Sequence, residues 1–180
     1  FLYVPYFTYP ITDDRKTGLL FPSLGSSDRR GVEFTQPIYW NIAPSYDMTI
    51  APRYMSKRGL QLGTEGRLLT KRNDVVLWLD YLPSDDQALI DRWQYDLSVL
   101  SDLPAGWRAK TEAQGVSDDD YFEDLTSRQR WTSQTHLARQ ITFERYGPVW
   151  SMLGRVQGFQ TIDAQILQQD EPYLQIPQFV

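Results

Sequence analysis

The sequence has 180 residues, a formal net charge of −5 and no cysteine, a length that fits one domain or two. Its 18 basic residues against 23 acidic ones carry no positive surplus for holding nucleic acid, and the missing thiols exclude disulfide frameworks, thiolate nucleophiles and the common structural zinc sites. The longest strongly apolar run, at 75–79, is five residues, against about 20 for a membrane-spanning helix; a β-barrel stays open, because its signal is alternation. Six Trp, 11 Tyr and eight Phe must be packed in a core or placed at an interface. The chain opens at Phe1 with no Met, basic segment or apolar targeting stretch, and so reads as a mature or excised piece.

Residues 1–32 are punctuated by Pro5, Pro10, Gly18, Pro22, Gly25 and Gly31, which permits only short extended pieces joined by turns. The charged runs at 13–16 and 28–30 read as solvated turns. From Glu33 the period is two. Phe34, Gln36, Ile38, Trp40 and Ile42 form one face of residues 33–43, opposite Glu33, Thr35 and Asn41. Met48, Ile50, Pro52 and Tyr54 then alternate with Asp47, Thr49 and Arg53, and Leu60, Leu62 and Leu68 with Gln61, Glu65 and Arg67. The alternation continues through 75–81, 93–99 and 107–114, where Arg108, Lys110, Glu112 and Gln114 share one wet side. A long connection spans 116–129, strands resume over 131–145 and 150–157, and a short loop helix is expected near 85–93.

About eight antiparallel strands with short turns fit two architectures. A soluble sandwich turns the apolar face inward, and a transmembrane barrel turns it outward into lipid. Strands of this length match the roughly 9–11 residues that cross a bilayer at a tilt, and Tyr39, Trp40, Tyr54, Tyr81, Trp93, Trp107, Trp131 and Trp150 fall at strand ends, as interfacial girdles do. Pro37 and Pro52 interrupt the first two strong strands. Neither can donate to a ladder, so a weakened edge is expected there, either an ordinary sheet edge or a seam built to open.

The motif PIYWNIAPSYDMTIAPRYMSKRG at 37–59, followed by YLPSDD at 81–86, SDDDYFEDL at 117–125 and PYLQIPQF at 172–179, resembles the LptD (Imp, OstA) family of outer-membrane lipopolysaccharide-assembly proteins of Gram-negative bacteria. The likeness covers essentially the whole chain. It implies an all-β chain, an antiparallel meander within a large transmembrane β-barrel. Residues 1–32 would be the end of an N-terminal periplasmic β-jellyroll (1–10) and a hinge (11–31), and 33–180 the first barrel strands. Lipopolysaccharide would be the cargo, the lipoprotein LptE the plug, and the periplasmic Lpt bridge the supplier through the N-terminal domain. Pro37 and Pro52 match the prolines of a lateral gate. Glu33, Thr35, Asn41, Asp47, Arg53, Glu65 and Arg67 are then expected to line a hydrated lumen.

Other chemistry has little to stand on. Asp118, Asp119, Asp120, Glu123 and Asp124 are dense enough to raise calcium, but they lack EF-hand spacing, and an exposed acidic loop is the expectation. His136 is the single histidine and reads as a lumen or core polar residue. No phosphate loop or nucleophile elbow is present, so neither a catalytic residue, a metal nor a cofactor is assigned. A soluble carbohydrate-binding sandwich and a small self-contained barrel are the alternatives.

Overall fold

The structure is a computed structural model that describes residues 15–126, 136–162 and 175–179. Its strands in chain order are β1 (Gly18–Leu19), β2 (Ser23–Ser27), β3 (Gly31–Thr35), β4 (Ile38–Ala43), β5 (Tyr46–Met55), β6 (Gly59–Leu69), β7 (Asn73–Leu82), β8 (Arg92–Asp102), β9 (Trp107–Val116), β10 (His136–Tyr146), β11 (Ser151–Thr161) and β12 (Gln175–Phe179). All join one antiparallel sheet, β4 to β12 each paired with its neighbour in sequence; β1 lies beside β4, and β3 lies between β2 and β5. The meander is the all-β arrangement expected from the alternation. From β5 to β11 each strand has 10 or 11 residues.

The register sorts the side chains into two unlike faces. One carries the cross-strand rows Pro52–Leu62–Tyr81–Trp93, Thr64–Leu79–Tyr95 and Gly66–Leu77–Leu97. The other carries Asp47–Arg67–Val76–Ser98 and Thr49–Glu65–Trp78–Asp96. The apolar face is the exposed one: Tyr54, Leu60, Leu62, Leu77, Leu79, Tyr81, Trp93, Ile141, Phe143 and Val156 all stand open. The buried residues include Asp47, Arg58, Gln61, Asp85 and Arg92. A protein folded for water has the reverse arrangement.

The two ends of the sheet also differ. Segments 44–45, 70–72, 103–106 and 147–150 join strands at one end, while the short turns 28–30 and 56–58 and the longer connections 83–91, 117–135 and 162–174 join them at the other. The small apolar core sits at the second end, where Met55, Leu82 and Val116 meet Tyr121, Phe122 and Leu125 of the short helix α1 (Tyr121–Leu125).

Three local expectations are corrected. The strand expected over 33–43 is split into β3 and β4 at Gln36 and Pro37, although both halves keep one register against β5. Residues 85–93 hold no helix: the Asp85 carboxylate accepts the N–H groups of Gln87 (2.9 Å) and Ala88 (3.3 Å), and Ser84 and Leu89 take positive φ of 48° and 58°, which a right-handed helix does not allow. The helix lies at α1 instead. β1, β2 and β12 are additional strands, and the expectation for residues 1–10 lies outside the described residues.

Gly115 stands on the exposed face where Tyr95 and Arg139 meet, and a Cβ there would lie 2.6 Å from Tyr95 Cε1 and 2.9 Å from Arg139 Nη2. Gly66, on the same face, has open space around it. Gly115→Val therefore requires the Tyr95 ring and the Arg139 guanidinium to move aside and is expected to lower the thermal midpoint, read by circular dichroism, by more than Gly66→Val, which leaves it within a degree or two.

Candidate functional site

At the β3–β4 break the main chain has lost half of two reciprocal pairs. In an antiparallel ladder, two facing residues of a hydrogen-bonded pair exchange both N–H···O bonds. Here the Gln36 N–H donates to the Pro52 carbonyl at 3.1 Å, and the Leu20 N–H donates to the Pro37 carbonyl at 2.9 Å. Neither proline has an N–H to return. The two prolines thus thin the bonding on both sides of one strand at one level, Pro52 toward β5 and Pro37 toward the segment between β1 and β2.

The polar face beside this break is held by ion pairs. Glu33 accepts from Arg30 Nε at 2.7 Å and from Arg53 Nε at 3.0 Å. Arg53 Nη1 also donates to Gln61 Oε1 (3.1 Å) and to the Leu125 carbonyl (2.9 Å), and Thr35 lies opposite Arg53 in the register. Toward the other end, Asp47 accepts from Arg67 Nε (2.7 Å), Arg15 Nη1 (3.1 Å) and the Tyr39 hydroxyl (3.0 Å). Asn41 faces Asp47 across the ladder and donates to the Arg15 carbonyl at 2.7 Å. Glu65 sits between the two groups, paired with Thr49 and Trp78. All seven residues expected to line a lumen therefore share one face, in two clusters with Glu65 between them. A cavity of about 460 Å³ opens over the first cluster, walled by Arg30, Glu33, Arg53, Gln61, Asp80 and Tyr121. His136 lies on the same face, its Nδ1 3.3 Å from Thr161 Oγ1.

The acidic segment and the 28–30 turn are expected to be solvated, and Asp28, Arg29, Asp119, Asp120 and Glu123 are indeed exposed, whereas Arg30, Asp118 and Asp124 are half-buried in polar contacts. Arg92, 1% exposed, pairs with Asp85 (3.1 Å), Asp118 (2.5 Å) and Asp124 (2.8 Å). Arg58 pairs with Asp85 and Asp124, each at 2.9 Å. Arg29 reaches Glu123, and Arg30 donates to the Thr126 carbonyl at 3.0 Å. Asp118 and Asp124 are thus occupied by arginines. The physical reason is α1: Tyr121, Phe122 and Leu125 bury themselves over Met55 and Leu82, which brings the flanking carboxylates down onto the arginines of the neighbouring turns. The spacing of Tyr121, Phe122 and Leu125 was the available signal, a one-sided apolar turn amid carboxylates.

Asp85 is fully buried. Burial alone would raise its carboxyl, but the Gln87 N–H, the Arg58 and Arg92 guanidinium groups and the Ala88 N–H outweigh it and hold the group below the usual carboxylate range. A depressed folded value means the stabilisation is full above the unfolded value of about 3.9 and is lost as pH falls through the folded one. Asp85→Ala leaves two buried guanidinium groups short of one partner each, at a cost of about 1–3 kcal/mol. Faster proteolysis within 117–126 in the full-length protein is the expected result, and acidification below the carboxylate range should produce the same in the unsubstituted chain; unchanged cleavage in both would contradict the clamp.

Residues 90–180 match the protein family described as LPS transport system D, LptD. The LPS-assembly protein LptD of Pseudoalteromonas translucida (strain TAC 125) is 42% identical over 179 residues, which is 98% of this chain and 23% of that protein. The proteins of the same name from Alkalilimnicola ehrlichii and Thiobacillus denitrificans are 41% and 38% identical, over 89% and 98% of this chain and 21% and 24% of their own lengths. The chain spans about a quarter of the length of these relatives.

Proposed function

The chain belongs to the LPS transport system D (LptD) family, and from that membership we propose that it forms the opening strands of a large outer-membrane β-barrel through which the whole protein passes lipopolysaccharide to the outer leaflet. The observation that carries the reading is the inverted sheet: apolar rows exposed, ionic rows sheltered, on strands of a length that spans a bilayer at a tilt. A carbohydrate-binding sandwich would pack those apolar rows against a second sheet. The role is transport, with LptE as the plug and the periplasmic bridge delivering cargo through the N-terminal domain, as in the family.

Orientation follows from the connections. Outer-membrane barrels keep short turns on the periplasmic side and long loops outside, so 44–45, 70–72, 103–106 and 147–150 face the periplasm, and the α1 segment with its arginine clamp faces the exterior. The chain then enters the barrel from the periplasm at β1, as a periplasmic N-terminal domain requires.

The mechanism needs two solvents at once. Acyl chains are at ease only beside lipid, and a charged sugar head only in water, so the amphiphile must straddle an opening between strands, head on the ionic face and chains on the apolar one. In a bilayer each unmade backbone bond costs several kcal/mol, which keeps an ordinary seam shut. At residues 36–37 two bonds are absent already, so Pro37 and Pro52 make this level the place where strands part at least cost. Replacing both with alanine restores donors at about 1 kcal/mol each, making opening up to roughly 30-fold rarer. Cells whose full-length protein carries Pro37→Ala with Pro52→Ala should show slower arrival of lipopolysaccharide at the surface and heightened sensitivity to large apolar antibiotics; normal arrival would refute the gate.

A further inference from the structure

Gln36 is out of place in its row. It alternates with Phe34, Ile38, Trp40 and Ile42 on the apolar face, where an unpartnered amide is expensive in lipid. Its side chain is partnered in a particular way: Nε2 donates to the Leu20 carbonyl at 2.9 Å and to the Pro37 carbonyl at 3.2 Å. Both neighbours are acceptors, so only the orientation that presents the NH₂ group satisfies them. The Leu20 carbonyl is the one to which the N–H of residue 37 would donate in a complete reciprocal pair, since Leu20 N–H already donates to the Pro37 carbonyl.

We propose that Gln36 is a positioning residue of the seam, its side-chain amide standing in for the main-chain donor that Pro37 lacks and tying the β1–β2 segment to the β3–β4 strand. The inference rests on the gate reading for its purpose, but its geometry is independent of it. A main-chain bond breaks only when a strand shifts, and neighbouring ladder bonds oppose that shift. The side-chain hydrogen bond breaks by rotation about χ angles, with the strand in place. The proline removes a rigid donor and the glutamine supplies a detachable one, so the seam is closed at rest without being locked.

The test is a cycle in the full-length protein with amide exchange read by mass spectrometry over peptides containing Leu20. Gln36→Met keeps the length of the side chain, suits an apolar face and has no donor. It should speed exchange at Leu20 roughly two- to tenfold when residue 37 is proline. In a Pro37→Ala background the restored main-chain N–H takes the Leu20 carbonyl, and the same Gln36→Met change should alter exchange less than twofold. Equal acceleration in both backgrounds would show that Gln36 acts by packing alone, and no acceleration in either would show that it holds nothing; each overturns the latch. If exchange follows the expected pattern while lipopolysaccharide arrives at the surface at an unchanged rate in every variant, the latch stands and the transport role of the seam falls.

Discussion

A backbone amide without a partner is costly wherever water is excluded, and this requirement orders everything else in the chain. A sheet meets it by pairing each strand with the next, and once the ladder is fixed, the pleat sends successive side chains to opposite faces. Here that division separates Leu62, Leu77, Leu79 and Tyr81 from Asp47, Arg53, Arg67 and Asp80. The same register that satisfies the main chain therefore produces a greasy wall and an ionic one. At residues 36–37 the ladder that separates these two faces is incomplete.

The ionic wall is more than solvent-facing polarity. Glu33 and Asp47 each gather two arginines, and the arginines at the long-connection end are tied to carboxylates far away in sequence, such as Arg92 to Asp118 and Asp124. Rigid ion pairing at that end contrasts with the thinned main chain at residues 36–37. Beyond that level the ladders are nearly complete, with β6, β7 and β8 each paired along most of their length on both sides.

The strands were legible because period two is local: Val75, Leu77, Leu79 and Tyr81 announce their face without reference to any partner. The seven polar residues assigned to the wet side fell on one face for the same reason. What could not be read depends on contacts distant along the chain. β2, with the sequence Ser-Leu-Gly-Ser-Ser, has no alternation of its own and is a strand only because β3 lies beside it. The arginine clamp joins Arg29 to Glu123 and Arg58 to Asp124, pairings that no spacing rule encodes. The helix expected at 85–93 failed because the Asp85 carboxylate took the backbone N–H groups first. Pro37 and Pro52 were visible as missing donors, but not the amide of Gln36 that fills one of the vacancies.

The central claim is that the apolar face meets lipid and the ionic face meets water. Spin labels placed one at a time on cysteines at positions 77, 78, 79 and 80 of the full-length protein in lipid vesicles test it most directly, through their accessibility to oxygen and to a water-soluble nickel chelate. The account predicts alternation, with oxygen favoured at Leu77 and Leu79 and the chelate at Trp78 and Asp80. Chelate access at all four positions, or a pattern with the opposite phase, would contradict it.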